Sequence, residues 1–108
     1  MIPATVLHEA EVELWEAVHY YETRCPGLGV DFLREVEAGL ITVRISPDLW
    51  PVREDGTRRY LLQRFPYVVV YLHVEDHVWI IAVAHCKRRS GYWRDRIRKA
   101  QSGPEDEP

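Results

Sequence analysis

The sequence predicts an α+β domain: a short N-terminal strand, an antiparallel helical hairpin on a small antiparallel β-sheet, and a short C-terminal helical segment. Three observations carry this expectation. Apolar residues recur at helical spacing between residues 10 and 45. A Pro-Gly-Leu-Gly stretch at 26–29 divides that region in two. Two later stretches, residues 67–74 and 77–84, are apolar at nearly every position and are separated only by Glu75-Asp76. At 108 residues the chain is long enough for one modest core without disulfides or metal. One domain is expected over residues 1–102, followed by an acidic disordered tail at 103–108.

Residues 4–7 are a short apolar run with a β-branched centre and read as a brief strand. A helix then starts at His8 or Glu9. Ala10, Leu14, Ala17, Val18, Tyr21 and Cys25 fall on one stripe, with Trp15 on its flank. Glu9, Glu11 and Glu13 crowd the first turns, where the helix dipole favours negative charge. Of the pair Tyr20-Tyr21, one ring is expected to pack and the other to stay half exposed. The proline and glycines at 26–29 end this helix. A second helix is expected over residues 30–45, with Leu33, Val36, Leu40 and Val43 buried. Asp31 and Glu35 near its start and Arg44 near its end suit its dipole. Gly39 costs about 1 kcal/mol against alanine in a helix interior, and reads as a point of close helix approach. The short connection makes the pair antiparallel.

Pro47, Pro51 and Asp55-Gly56 mark a loop and a turn. Residues 58–64 alternate weakly, and Pro66 closes them off. Over residues 67–74, alternation puts Val68, Val70, Leu72 and Val74 on one face and Tyr67, Val69, Tyr71 and His73 on the other. Over residues 77–84 it puts Val78, Ile80, Ala82 and Ala84 on one face and Trp79, Ile81 and Val83 on the other. Strands apolar on both faces need cover on both. The helical hairpin is one cover. A partner, or the segment at 93–99, is the other.

The net charge of −3 hides a division. Residues 1–50 carry nine acids against three bases, residues 51–102 five acids against eleven bases, and the last six residues three acids. Either the basic half meets phosphate or an acidic partner, or the two halves neutralise each other in the fold. A protein working through nonspecific nucleic-acid affinity is usually more basic overall. No apolar run reaches membrane-spanning length and no signal-peptide pattern opens the sequence. Cys25 and Cys86 lack metal-ligand spacing, so a cytoplasmic protein with two free thiols is expected. His73 and His77 flank the strand turn without a convergent carboxylate or cysteine, and neither metal nor cofactor is expected.

An ordered set of stretches adds to this reading. It runs through Glu13-Leu14, Tyr20-Tyr21-Glu22, Pro26-Gly27-Leu28-Gly29 and Asp31-Phe32-Leu33. It continues with Pro47, Trp50-Pro51, Arg58-Arg59, Arg64-Phe65-Pro66-Tyr67 and Tyr71. It ends with residues 80–85, Arg88-Arg89 and Gly91-Tyr92-Trp93. Together these resemble the RelE/ParE superfamily of toxins from bacterial type II toxin–antitoxin modules, in particular plasmid-stabilisation-like proteins. The resemblance implies a toxin neutralised by a small cognate antitoxin that wraps over the sheet and active face, in a toxin–antitoxin hetero-oligomer. One branch of the superfamily cleaves mRNA on the ribosome. The other inhibits DNA gyrase and needs no catalytic residues. A chain that has lost toxicity and only binds its antitoxin is a third possibility.

The candidate site is the strand exit, where His85, Arg88, Arg89, Tyr92 and Trp93 fall within nine residues, with Arg58, Arg59 and Arg64 before them. A metal-free ribonuclease needs a base for the 2′-hydroxyl, a cation for the pentavalent phosphate and an acid for the leaving oxygen. In that reading His85, Arg88, Arg64 and Tyr92 are catalytic, and Arg58, Arg59, Arg89 and Trp93 bind nucleic acid or another target. Each has a plainer alternative. His85 supplies acid–base chemistry, or it ties the strand end to a neighbouring backbone group. The arginines hold phosphate through planar forks, or pair with acids such as Glu54 and Asp55. Tyr92 and Trp93 stack on bases, or pack the C-terminal segment onto the sheet. Two departures weigh against cleavage. Val68 stands where the ribonuclease branch usually has a base, and its lysine pair is reduced to Arg59 followed by Leu61.

Overall fold

Four strands form one sheet in the order β1-β4-β3-β2 in the computed structural model, which describes residues 1–102. The tail expected at 103–108 lies outside the described residues. Along the chain come β1 (Ala4–Val6), α1 (His8–Arg24), α2 (Leu28–Ile45), β2 (Arg58–Leu61), β3 (Tyr67–Val74), β4 (His77–His85) and α3 (Arg94–Ser102). Strands β2, β3 and β4 are antiparallel neighbours, as expected. Strand β1 joins the other edge of β4 in parallel, with Ala4 opposite Val78 and Val6 opposite Ile80.

The turn between the two helices is tighter than the sequence suggested. Gly27 adopts φ 90°, a left-handed conformation that favours glycine, and α2 begins at Leu28 instead of residue 30. Glu22 of α1 makes this possible by crossing over. Its carboxylate accepts the Gly27 N–H at 2.9 Å and the Gly29 N–H at 3.0 Å, so it satisfies the free donors that open α2. Gly29 is where the two helices touch: a Cβ there would lie 2.5 Å from the Val18 carbonyl oxygen and 2.9 Å from Glu22 Cβ. Gly39, the residue expected at that approach, instead makes room for the Tyr60 ring of β2, 2.6 Å from where its Cβ would stand. Gly29→Ala is therefore expected to destabilise the protein by about 3 kcal/mol, because backbone must move. A chemical-denaturation midpoint equal to that of the parent would rule this packing out.

The expected strand over residues 58–64 stops at Leu61. Beyond it the backbone bonds elsewhere: Glu35 of α2 accepts the N–H groups of Gln63 and Arg64, and Leu62 N–H donates to the Tyr67 carbonyl at 3.0 Å. Strands β3 and β4 meet through Glu75-Asp76, with Glu75 at φ 54° in a two-residue hairpin loop.

Two buried clusters cover the two faces of the sheet. On one, Val69, Tyr71, Val78, Ile80 and Val83 pack against Ala10 and Ala17 of α1 and Phe32, Val36 and Val43 of α2. An aromatic group of Tyr21, Phe32, Phe65 and Tyr67, with centroids 4.8–6.1 Å apart, closes its end. Tyr20 remains 46% exposed, as expected. On the other face Val70, Leu72, Trp79, Ile81, Ala82 and Ala84 pack against Trp93, Ile97 and Ala100. The second cover is thus α3.

Strict alternation fails in β4. Tyr71 pairs with Ile80 and Val70 with Ala82, so Ile81 is an extra residue in a β-bulge. Val83 therefore faces the helices with Val78 and Ile80, while Ala82 and Ala84 join Trp79 on the α3 face. The bulge also turns His85 toward the helical hairpin, where its ring lies 5.1 Å from that of Tyr67.

The charge division closes inside the fold. Among the described residues four ion pairs form, Arg58–Asp48, Arg64–Asp31, Arg96–Glu13 and Lys99–Glu9, and His73 is hydrogen-bonded to Asp48. Every one joins an acid of the first half to a base of the second.

Candidate functional site

Past Ile80, strand β4 has no β1 partner, and its outward backbone groups need other bonds. Glu13 and Arg96 supply them. Glu13 Oε1 accepts the Val83 N–H at 3.0 Å, and Arg96 Nη1 donates to the Ile81 carbonyl at 3.1 Å. The two side chains also pair with each other through both guanidinium nitrogens, at 2.9 and 3.0 Å. Tyr92 Oη completes the group by donating to Glu13 Oε2 at 2.6 Å. Glu13 and Arg96 are only 11% and 17% exposed. Burial works against the charge of Arg96, but the hydrogen bond and charge of Glu13 outweigh it and raise its pKa. Burial, then the bond to Glu13 and its charge, push the Tyr92 hydroxyl well above the ordinary tyrosine range.

Residues 85–93 turn the chain from β4 into α3 around this group. His85 Nδ1 accepts the Lys87 N–H at 3.0 Å, which places the proton of a neutral His85 ring on Nε2. The Arg88 guanidinium lies 3.9 Å from the centroid of the Tyr92 ring. His85 and Arg88 share a cleft of about 250 Å³ with Glu13, Glu16, Tyr20 and Tyr67. Two carboxylates line that cleft, so it is a mixed-charge surface and a poor seat for a phosphodiester.

The other expected site residues divide between two places. Arg64 lies against α2, 3.5 Å from Asp31, and lines a groove with Arg34 and Tyr60, not the His85 cleft. Arg58 is buried in structural bonds, donating to the Trp50 carbonyl at 2.8 Å and pairing with Asp48 at 3.1 Å. Of the two roles open to Trp93, stacking on a base and packing the C-terminal segment onto the sheet, the structure shows the second: it is 2% exposed and belongs to the core under α3. Its Nε1–H donates to Asp55 Oδ2 at 3.1 Å, and the Arg59 guanidinium lies 4.9 Å from its ring. Tyr92 likewise has its hydroxyl bound to Glu13, with guanidiniums 3.9 and 5.2 Å from its ring centroid. Arg89 is exposed at the turn beside Lys87 and Arg88. Arg59 donates to Ser90 Oγ at 2.9 Å.

The sequence reading gives Glu13 and Arg96 no site role. As a charge at the helix start Glu13 is ordinary, yet it sits three residues after Ala10 and four before Ala17, both on the buried stripe. An acid at such a position signals a buried partner. His73 and His77 each have another partner: Asp48 at 2.7 Å and Thr5 Oγ1 at 2.8 Å. Among the described residues no three His, Cys, Asp or Glu side chains are grouped to hold a metal ion, and no helix is long and apolar enough to cross a membrane.

A parallel N-terminal strand, a helical hairpin, an antiparallel meander and a closing C-terminal helix define this chain as having the RelE/ParE fold. A solved chain described as "Chromosomal ParDE TA system from P. aeruginosa" is similar to it, with a TM-score of 0.70 and 13% sequence identity. The match covers 79% of this chain and 96% of that one. No family model and no curated protein sequence matches the chain.

Proposed function

We propose that this chain is the toxin of a type II toxin–antitoxin module, neutralised by a small cognate antitoxin, and that it acts by binding its target instead of cutting RNA. The likeness to a chain of a ParDE toxin–antitoxin system supports the first part. The second part rests on one observation: the groups cleavage would need are already committed. The Tyr92 hydroxyl is held by Glu13 with a raised pKa, and His85 Nδ1 is held by the Lys87 N–H. With its proton held by Glu13 the Tyr92 hydroxyl is no base, and a neutral His85 ring keeps only its Nε2–H, a donor, so neither group can take the proton of a 2′-hydroxyl. The exposed Lys87-Arg88-Arg89 turn is then a binding surface, and the target is DNA gyrase, as in the non-catalytic branch of the superfamily.

Ribosome-dependent mRNA cleavage is the second reading, favoured by His85 and Arg88 sharing one cleft. Dual pulse labelling after induction of the chain alone separates the two. Thymidine incorporation is expected to fall before leucine incorporation, and His85→Ala is expected to stay toxic. Leucine falling first, with His85→Ala harmless, would establish cleavage instead. If neither falls, the chain retains antitoxin binding alone.

A further inference from the structure

A second basic site lies apart from the His85 cleft and shares no lining residue with it. Arg53, Arg59 and Arg94 converge there on a cavity of about 260 Å³ between the loop before β2 and the start of α3, with Glu54, Asp55, Ser90 and Gly91 in its wall. Three guanidiniums face two carboxylates there, an excess of one cation. The Asp55 oxygens already hold bonds: Oδ1 accepts the Thr57 N–H at 3.0 Å and hydroxyl at 2.6 Å, and Oδ2 accepts Trp93 Nε1–H. Glu54 is exposed and makes no ion pair among the described residues, and neither do Arg53 and Arg94.

Arg59 is fixed in place, with Nη2 on Ser90 and its guanidinium near the Trp93 ring, yet its Nε is buried without a partner. A buried donor left without a partner is costly. Burial and the neighbouring Arg53 lower its pKa, and the charge of Asp55 offsets this only in part. Gly91, at φ 86°, lets the turn come close to Arg94, whose Nε stands 3.1 Å from where a Cβ would be.

We propose that this cavity is an oxyanion site that takes a phosphate group between Arg53, Arg59 and Arg94, with the Ser90 hydroxyl as an additional donor. Guanidinium forks match phosphate oxygens two at a time, and an anionic phosphate offsets the excess of one cation. The proposal is independent of the toxin reading, since the cavity lies outside the His85 cleft.

The test is a titration of the intact chain with inorganic phosphate against chloride at matched ionic strength, followed through the Ser90 and Gly91 amide resonances. Saturable shifts are expected. Arg53→Ala and Arg94→Ala, both at exposed positions, should each weaken phosphate binding about tenfold. Arg98→Ala, exposed on α3 but outside the cavity, should leave it unchanged. Shifts that never saturate, or an Arg98→Ala loss equal to that of Arg94→Ala, would reduce the effect to general surface charge and overturn the site. Competition then identifies the source of the phosphate. Displacement by a short single strand at lower concentration than by a 5′-mononucleotide assigns a phosphodiester, and the opposite order assigns a terminal or free phosphate. Either order upholds the site.

Discussion

Glu13→Ala is expected to lower folding stability by about 3–5 kcal/mol, the usual cost of removing one partner from a buried ion pair. The loss has three sources. Arg96, 17% exposed, keeps its charge without a counter-ion. The Tyr92 hydroxyl and the Val83 N–H lose their acceptor in a place largely closed to water. The free edge of β4 reopens. Urea unfolding followed by tryptophan fluorescence measures this directly, with the midpoint falling and the slope unchanged. Glu13→Gln keeps the shape and one acceptor oxygen, and should fall between the parent and Glu13→Ala. A loss below about 1 kcal/mol would mean that the pair behaves as an exposed one. Toxicity assays of Glu13 variants must therefore be read beside their stability.

Trp93→Ala should be of similar size, about 3–5 kcal/mol, because it empties a large buried site and deletes a hydrogen bond. The expectation separates two roles. A tryptophan waiting to stack on a base could be removed with little effect on folding. A tryptophan that joins α3 to the sheet could not. The hydrogen bond to Asp55 adds a pH signature. Burial raises the Asp55 pKa, but the bonds from Thr57 and Trp93 outweigh it, and the net shift is downward from 3.8. The folded state thus holds this proton less tightly than the unfolded state. The stability Asp55 contributes is complete above the unfolded value and is lost as pH falls through the folded one. Trp93→Phe keeps the ring packing and deletes the donor. Its urea midpoint should therefore fall less than the parent's between about pH 6 and pH 3. Equal falls would remove Trp93 from this titration.

Much of the fold was legible because it is written in local periodicity. The stripe of Ala10, Leu14, Ala17 and Tyr21 specifies a helix, and the doubly apolar β3 and β4 require cover on both faces. Glu75-Asp76 and Gly27 lie where the turns are. The extra residue in β4 was not legible. Nothing in HVWIIAVAH distinguishes a straight strand from one in which Ile81 is out of register, because residues 78–84 are all apolar. That choice depends on how β3 pairs and how the helices pack, yet it decides which face His85 occupies.

The candidate site divides in the same way. The sequence by itself placed the basic and aromatic residues together at the strand exit, since nearness along the chain is enough for that. It also determined the apolar stripes and the turn positions, which depend on backbone geometry a few residues long. Tertiary structure alone decided which of those groups are free to act. Tyr92 is tied to Glu13 across 79 residues and Arg96 to the same carboxylate across 83, distances at which no local pattern carries information. The fold therefore decided between stacking and packing for Tyr92 and Trp93, set Arg64 against α2, and gathered Arg53, Arg59 and Arg94 from separate segments. The physical reason is that burial and pairing depend on what the rest of the chain brings up against a side chain, while periodicity records only which side of its own element it leaves from.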